Sequence, residues 1–192
     1  MTVRLLLAST SPYRRELLSR LRIPFDVIRP EVDETPLPGE SPLVLAQRLA
    51  AAKAEAIAAR EGDAWVIGSD QVAELDGGPL GKPGNRDAAL AQLASMSGRS
   101  VAFRTGLCVM HRELGRFDAV DTTVVRFRSL AADGIARYVD AERPFDCAGS
   151  FKSEGLGIAL FEAIETSDPT ALIGLPLIAT ARLLRRAGFA LP

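Results

Sequence analysis

Residues 65–75 read Trp65-Val66-Ile67-Gly68-Ser69-Asp70-Gln71-Val72-Ala73-Glu74-Leu75, a run that is apolar except near its middle. Such a run predicts a central, buried strand. A carboxylate inside it is costly unless it faces a cleft, a cation or a metal ion. We therefore expect Asp70 to be either a metal ligand or a base that activates water. Strand alternation places Gln71 on the opposite face from Asp70.

Regular elements are predicted on both sides of this strand. Strands are expected at 4–8, 25–28, 101–110 and 119–127, with a hairpin-like strand pair within 156–165. Helices are expected after a cap at 9–12 and at 42–60, 87–96, 131–141 and 176–187. Because strands alternate with helices first and pair antiparallel later, the order predicts an α/β fold with a mixed β-sheet flanked by helices. We expect one domain over residues 1–192, or two closely joined lobes.

Composition limits the classes of partner. The 192 residues are 47% hydrophobic and 24% charged, which is ordinary for a globular protein, and the net charge is −1. This balance provides no overall field for nucleic acid or an anionic membrane, so an anionic small molecule would need a local basic cluster. No apolar stretch approaches the ~20 residues of a membrane span. We expect a cytoplasmic protein without a nucleic-acid or membrane partner.

Cysteine and histidine content argues against several chemistries. Cys108 and Cys147 are too few for a disulfide framework, and both lie among apolar residues, which favours buried free thiols. His111 is the single histidine, and its place near a strand end favours a solvated turn residue. Zinc sites and cysteine–histidine catalysis are therefore not expected.

Basic residues offer candidate phosphate contacts. Ser9-Thr10-Ser11-Pro12-Tyr13-Arg14-Arg15 stands between a strand and a helix, where backbone N–H groups and the helix dipole favour anions. Arg14 adds a fork for phosphate oxygens, although a capped helix with surface arginines explains the same pattern. Lys82, in Gly81-Lys82-Pro83, and Lys53, on the long helix, are cations that either bind phosphate or are simply solvated.

Two further segments carry polar groups. The acidic loop contains Glu31, Asp33 and Glu34, which either supply a magnesium carboxylate or are solvated. Residues 148–157, AGSFKSEGLG, hold three glycines within nine residues and predict a flexible, ligand-facing loop. This loop matches neither the Walker A pattern nor GxGxxG.

Taken in order, these motifs resemble the Maf family of nucleoside triphosphate pyrophosphatases. The resemblance rests on LASTSPYRRELL, PEVDE, GSDQV, GKP, CAGSFKSEGLGI and LIGLPLIA, and it extends from about residue 4 to residue 186. It implies an elongated shape with a cleft between two lobes and a requirement for a divalent cation, Mg²⁺, Mn²⁺ or Co²⁺. Tyr13, Gln71 and Glu154 resemble the branch that acts on 7-methyl-GTP. The branches acting on dTTP and UTP have arginine, threonine and glutamine there.

The resemblance also implies roles for individual residues. Asp70 matches the catalytic base of the family. Positions that match its phosphate and metal contacts are Ser9, Arg14, Glu34, Lys53 and Lys82, with Glu34 and Asp70 as the metal carboxylates. Tyr13, Gln71 and Glu154 match the positions that set base choice.

The chemistry of these three residues suits a methylated guanine. Methylation at N7 makes the purine cationic, so Tyr13 could stack on it and Glu154 could both accept ring N–H groups and offset the charge. The implied reaction is metal-assisted hydrolysis at the α-phosphorus, which releases the monophosphate and diphosphate. Alternatives are a pyrophosphatase for dTTP, UTP or inosine-type nucleotides, or a regulatory nucleotide-binding protein affecting cell division. The apolar last helix serves either a homodimer or the core of the chain itself.

Overall fold

The computed structural model describes residues 4–192. Its strands are β1 (Leu5–Ala8), β2 (Asp26–Ile28), β3 (Trp65–Leu75), β4 (Gly78–Leu80), β5 (Ser100–His111), β6 (Gly115–Phe127) and β7 (Phe161–Glu165). Its α-helices are α1 (Pro12–Ser19), α2 (Pro42–Ala58), α3 (Arg86–Met96), α4 (Ala132–Glu142) and α5 (Leu177–Arg186). Short 3₁₀ turns lie at Ala148–Ser150, Leu156–Leu160 and Ala171–Ile173.

The seven strands form one mixed sheet in the order β2-β1-β3-β5-β6-β7, and β4 pairs with β3. The strand β1 runs parallel to β2 and β3, whereas the remaining pairs are antiparallel. Parallel pairs require crossover connections, which α1 and α2 supply, and antiparallel pairs accept the short turns that follow. The predicted α/β class with a mixed sheet is confirmed.

The helix α2 covers one face of the sheet at unusually close range. A Cβ on Gly68 would lie 2.1 Å from the carbonyl oxygen of Ala50, and one on Gly106 would lie 2.3 Å from that of Ala46. Gly68 is in β3, and Gly106 is the cross-strand partner of Asp70. Since successive side chains alternate, Gly68 and Asp70 share the face that α2 covers. Glycine and alanine therefore set the distance between this helix and Asp70.

The opposite face carries two apolar clusters. One contains Trp65, Ile67, Leu107 and Val109 with residues of β1, α1 and α5, and the other contains Phe103 with residues of α3, α4 and β6. Between them, polar side chains cross the sheet at corresponding register positions: Ser69 and Gln71 in β3, Thr105 in β5, and Asp121 and Thr123 in β6. We call these five residues the polar belt.

Two sequence predictions are wrong. Residues 156–165 are not a strand pair: Leu156–Leu160 is a 3₁₀ turn, and only Phe161–Glu165 is a strand, which pairs with β6. The Leu156 N–H donates to Glu142 Oε1 at 2.8 Å, a tertiary contact that local pattern does not contain. His111 is buried rather than solvated, packs against Trp65, and accepts turn N–H groups at Nδ1.

The last helix contributes two leucines to the core of the chain itself. Leu183 and Leu184 of α5 are fully buried in the cluster that contains Trp65. Across residues 4–192, no helix has both the length and the apolar character that crossing a membrane requires.

Candidate active site

The sheet opens where β3 changes its neighbour. Pairing with β1 ends at Gly68, and pairing with β4 begins at Ala73, while β5 occupies the other edge throughout. In the described part of the chain, residues 69–72 therefore have no strand partner on the β1 side. A pocket of about 820 Å³ lies here. The nine predicted site residues all line it: Ser9, Tyr13, Arg14, Glu34, Lys53, Asp70, Gln71, Lys82 and Glu154.

Lys53 joins two carboxylates at this pocket. Its Nζ lies 2.6 Å from Asp70 Oδ1 and 2.6 Å from Glu34 Oε1. Lys53 and Asp70 are buried, with 6% and 8% of their surfaces exposed, whereas the Glu34 side chain remains 56% exposed. A buried carboxylate is tolerated when paired with a buried cation in this way. The sequence predicted that Asp70 faces a cleft, a cation or a metal ion. In the structure it faces both a cation and a cleft.

Further cations surround Glu34. Burial opposes ionisation of this carboxyl, but the hydrogen bond and charge of Lys53 outweigh it, and Lys82 and Arg14 add to the effect. The net result is a lowered pKa for Glu34. Asp33, in contrast, accepts the backbone N–H of Thr35 at 2.9 Å and does not line the pocket. The residue pattern of the acidic loop did not distinguish these two residues, whereas the family resemblance selected Glu34.

Arg14 is oriented by a backbone carbonyl. Its Nε donates to the Gly174 carbonyl at 2.8 Å, and the Ser69 hydroxyl donates to the same oxygen at 2.9 Å. Burial lowers the pKa of the Arg14 guanidinium, while Asp70 and Glu34 act in the opposite direction. A guanidinium remains protonated under such conditions, so Arg14 is a cation held at the pocket.

The backbone N–H groups before α1 are partly used within the chain. Ser11 N–H donates to Ser9 Oγ at 3.1 Å, and Arg14 N–H donates to Ser11 Oγ at 3.3 Å. Ser9 N–H donates to the carbonyls of Leu7 and Ile28. The capped-helix interpretation therefore holds for these amides.

Tyr13 faces an acidic part of the same pocket. Burial raises the pKa of its hydroxyl to about 12, and the neighbouring Cys147, Asp146 and Glu154 act in the same direction. Asp146 and Cys147 line the pocket, although the sequence gave no reason to select them. Burial, followed by the charge of Asp146, raises the pKa of the Cys147 thiol to about 12. A thiol with this pKa is a poor nucleophile near neutral pH.

Gln71 lies on the polar belt, on the opposite face from Asp70 as predicted. Its Nε2 lies within hydrogen-bonding distance of three acceptors, Ala171 O at 2.8 Å, Leu172 O at 3.1 Å and Thr105 Oγ1 at 3.1 Å, which share its two protons. Gln71 nevertheless lines the pocket, because the missing strand partner exposes both faces of β3 there. Thr105 is a direct cross-strand partner of Gln71, a relation that only the strand register reveals.

The glycines of the 148–157 loop serve the fold more than the pocket. A Cβ on Gly157 would lie 2.3 Å from Lys152 O, and one on Gly155 would lie 2.8 Å from Glu142 Oε1. The residues of this loop that line the pocket are Ala148, Phe151, Ser153 and Glu154. Gly155 and Gly157 thus allow close approaches within the chain itself, and the ligand-facing role of the loop stays a prediction.

The donor set can accommodate a cation together with substrate. Within residues 4–192, no group of three or more His, Cys, Asp or Glu side chains is arranged to hold a metal ion. The carboxylates of Glu34 and Asp70 do lie close together, and Lys53 Nζ occupies the space between them. Magnesium is commonly bound by one or two carboxylates and completed by substrate phosphates. The carboxylate oxygens that Lys53 does not bond, Glu34 Oε2 and Asp70 Oδ2, are therefore of the chemical type that suits a metal ion completed by a phosphate ligand.

Comparison with known proteins identifies the family of the chain. The family model described as Maf-like protein matches residues 4–187. The chain belongs to the Maf-like protein family. The resemblance drawn from the sequence motifs is confirmed.

Full-length relatives are closely similar. The 7-methyl-GTP pyrophosphatase of Xanthomonas oryzae pv. oryzae (strain KACC10331 / KXO85) is 62% identical over 194 residues, which cover 100% of both chains. The protein of the same name from Polaromonas sp. (strain JS666 / ATCC BAA-500) is 57% identical and covers 97% of this chain and 86% of that one. A solved dITP/XTP pyrophosphatase from Mycobacterium abscessus has a TM-score of 0.48 and 19% identity, covering 96% and 95% of the two chains.

Proposed function

We propose that this Maf-like protein is a nucleoside triphosphate pyrophosphatase that hydrolyses 7-methyl-GTP to 7-methyl-GMP and diphosphate. The observation that carries the proposal is the division of charge in one pocket. Arg14, Lys53 and Lys82 cluster around Glu34, whereas Tyr13 faces Asp146 and Glu154. Tyr13 and Arg14 are adjacent in α1, so the two regions meet there. The shared name of the full-length relatives supports the same substrate.

The basic region suits the triphosphate. Arg14 can bind phosphate oxygens through its remaining guanidinium N–H groups, since Nε is held by Gly174. Lys82 is exposed at the pocket and can place a compact charge on the departing diphosphate. Lys53 is already paired with two carboxylates, so its role includes holding them in place.

Asp70 is the proposed base. Its Oδ1 is bonded to Lys53, and Oδ2 is then the atom that would accept a proton from the attacking water. Water attack at the α-phosphorus forms the new P–O bond, and the bond to the bridging oxygen of the diphosphate breaks. Ser9, beside the same pocket, is proposed as an additional phosphate contact.

A divalent cation is part of the proposal. Glu34 and Asp70 would hold Mg²⁺, Mn²⁺ or Co²⁺ together with phosphate oxygens. When bound, the ion supplies charge neutralisation at the phosphate. Lys53 separates the two carboxylates and limits their repulsion before such an ion binds.

The acidic region suits a cationic base. Glu154 can accept the guanine N1–H and exocyclic N–H groups, and Tyr13 can stack on a positively charged ring, worth ~0.5–2 kcal/mol. Uracil and thymine each offer one N–H and no positive charge, so they leave carboxylate oxygens without a partner. This difference is the physical basis of the proposed preference for 7-methyl-GTP.

A substrate panel tests the function. Diphosphate release is measured with 7-methyl-GTP, GTP, ITP, dTTP and UTP, each with and without Mg²⁺, Mn²⁺ or Co²⁺. The expected result is the highest kcat/KM for 7-methyl-GTP and no turnover after chelation. A preference for UTP, dTTP or ITP would reassign the substrate. Binding without diphosphate release would instead support a regulatory nucleotide-binding protein.

The proposal also extends to the setting of the enzyme. It acts on a small-molecule nucleotide in the cytoplasm, without a nucleic-acid or membrane partner. The net charge of −1 supports this, because it provides no overall field to attract nucleic acid or an anionic membrane.

A further inference from the structure

We propose that Thr105 is a positioning residue. Together with the carbonyls of Ala171 and Leu172, it holds the Gln71 amide in one orientation, so that only the acceptor oxygen Oε1 faces the nucleotide base. The inference deepens the proposed function, because it rests on the base occupying the pocket beside Gln71.

The first step concerns what surrounds the Gln71 amide. Two of the groups within hydrogen-bonding distance of Nε2 are backbone carbonyls, at 2.8 Å from Ala171 and 3.1 Å from Leu172. A carbonyl oxygen can only accept, so the side of the amide that faces them must be the donating NH₂ group. The reverse orientation would place three oxygens together. The chemistry of the neighbours therefore fixes the orientation.

The second step concerns the single proton of the Thr105 hydroxyl. Thr105 is fully buried, and its Oγ1 lies 3.1 Å from Ala171 O and 3.1 Å from Gln71 Nε2. Because Ala171 O cannot donate, the hydroxyl gives its proton to that carbonyl. The Oγ1 lone pairs then remain to accept from Gln71, whose two amide protons are shared among Oγ1 and the two carbonyls. Thr105 thus reinforces the same orientation from the neighbouring strand.

The third step concerns the other end of the Gln71 side chain. Within residues 4–192, no buried side-chain nitrogen or oxygen atom lacks a hydrogen-bond partner. Gln71 Oε1 makes no hydrogen bond, so it is not a buried atom. Its accessible side is the pocket, which Gln71 lines. The base consequently meets acceptors from both Gln71 and Glu154. A guanine edge, with its N1–H and amino group, provides several donors, whereas uracil provides one N–H between two carbonyls.

The experiment compares Thr105→Val, Thr105→Ser and a matched control, Thr123→Val. Thr123 is also buried on the polar belt, but it bonds Asp121 and Thr166 and does not touch Gln71. For each variant, kcat/KM is measured with 7-methyl-GTP and with UTP. The Gln71 side-chain amide is followed by NMR hydrogen exchange in the protein without nucleotide.

Thr105→Val should lower the ratio of kcat/KM for 7-methyl-GTP over UTP by ~5-fold, the effect of weakening about one hydrogen bond. Its Gln71 amide protons should exchange faster than in the wild type. Thr105→Ser should restore both properties, and Thr123→Val should change neither. The Val variant should fold, because the Gln71 amide and the Ala171 carbonyl still bond each other.

An unchanged ratio with unchanged amide exchange would overturn the inference. So would an equal loss with both substrates at a lowered Tm, since that marks a purely structural residue. If the wild type fails to hydrolyse 7-methyl-GTP, the proposed function falls. The NMR comparison then still decides whether Thr105 orients Gln71.

Discussion

At the scale of single residues, Asp70 and Lys53 show how a buried carboxylate is stabilised by a buried cation. The ion pair keeps a carboxylate inside a strand, and it is 2.6 Å long. The sequence predicted that Asp70 needs a cation, a metal ion or a cleft, because burial of a lone carboxylate is costly. It did not identify Lys53 as that cation, since the pairing depends on how closely α2 approaches the sheet.

Replacing Asp70 tests the proposed base. Asp70→Asn should keep the fold, because the amide has the same shape and Lys53 retains Glu34 as a partner. Turnover of 7-methyl-GTP should be lost, since an amide cannot accept the proton of water. Diphosphate release and the Tm are the two measurements. Activity within a few-fold of the wild type would remove Asp70 from the role of base.

Arg14 and its neighbour in sequence form a matched pair for the phosphate contact. Arg14→Ala should reduce kcat/KM by ~10²–10³-fold, the scale for one positioned electrostatic stabiliser. Arg15 is exposed and does not line the pocket, so Arg15→Ala is the control and should have little effect. Equal activities for the two variants would place the triphosphate elsewhere.

Glu154 is the residue on which the proposed base choice depends most directly. Glu154→Gln keeps the shape and removes the charge, so it should cost ~1–3 kcal/mol against 7-methyl-GTP, as for a charge-assisted hydrogen bond. The loss with UTP should be smaller. The ratio of kcat/KM for these two nucleotides is the measurement. A ratio equal to that of the wild type would show that Glu154 does not read the base.

At the scale of elements, the periodicity of apolar residues predicted most of the helices and strands, because most of these elements bury one face against the core. The exception at 156–165 has a physical reason. Leu156 N–H is bonded to Glu142 in α4, and Arg128 N–H donates to Leu160 O. Such tertiary hydrogen bonds override local strand preference. Likewise, the position of the 171–174 carbonyls, which orient Arg14 and Gln71, is not encoded in a local pattern.

The approach of α2 to the sheet gives a prediction at this scale. Gly106→Ala would place a Cβ 2.3 Å from the Ala46 carbonyl oxygen, and backbone must move to relieve that contact. We expect a loss of roughly 1–3 kcal/mol in the free energy of unfolding, as for overpacking. Activity should also fall, because a displaced α2 carries Lys53 away from Asp70.

Urea unfolding and kcat/KM of this variant are compared with those of Gly62→Ala. Gly62 has ordinary space around it, since its Cβ would meet only Arg112 at 3.8 Å. If the Gly106→Ala variant matched the control in both measurements, the close approach of α2 would not be required for stability or activity.

At the scale of the whole molecule, the family resemblance predicted one group of residues for phosphate and metal and another for the base, but not how the two groups are arranged in space. The motifs named nine positions, but their sequence separation says nothing about which cations cluster and which carboxylates face Tyr13. The gap between β1 and β4 on the edge of β3 brings them together. The elongated two-lobe shape and the homodimer stay predictions.

Whether residues 1–192 form one domain is also open to measurement. The two apolar clusters on one sheet face are separated by the polar belt, which would suit two units that unfold separately. However, β3 and β5 run continuously through both clusters, and α2 packs across the other face. Unfolding of one cluster would therefore disrupt the strands that it shares with the other cluster. We expect a single cooperative unfolding transition.

The chain contains one tryptophan, Trp65, and it lies in the cluster with β1, α1 and α5. Its fluorescence reports on that cluster alone, whereas far-UV circular dichroism reports on all helices and strands. In urea, the two signals should give the same midpoint and the same slope, because the shared strands couple the clusters. The Asp70→Asn variant is the control, since it alters the pocket between the clusters without removing apolar contacts. A tryptophan transition that separates from the dichroism transition would show two independently unfolding lobes, and the single-domain prediction would then be wrong.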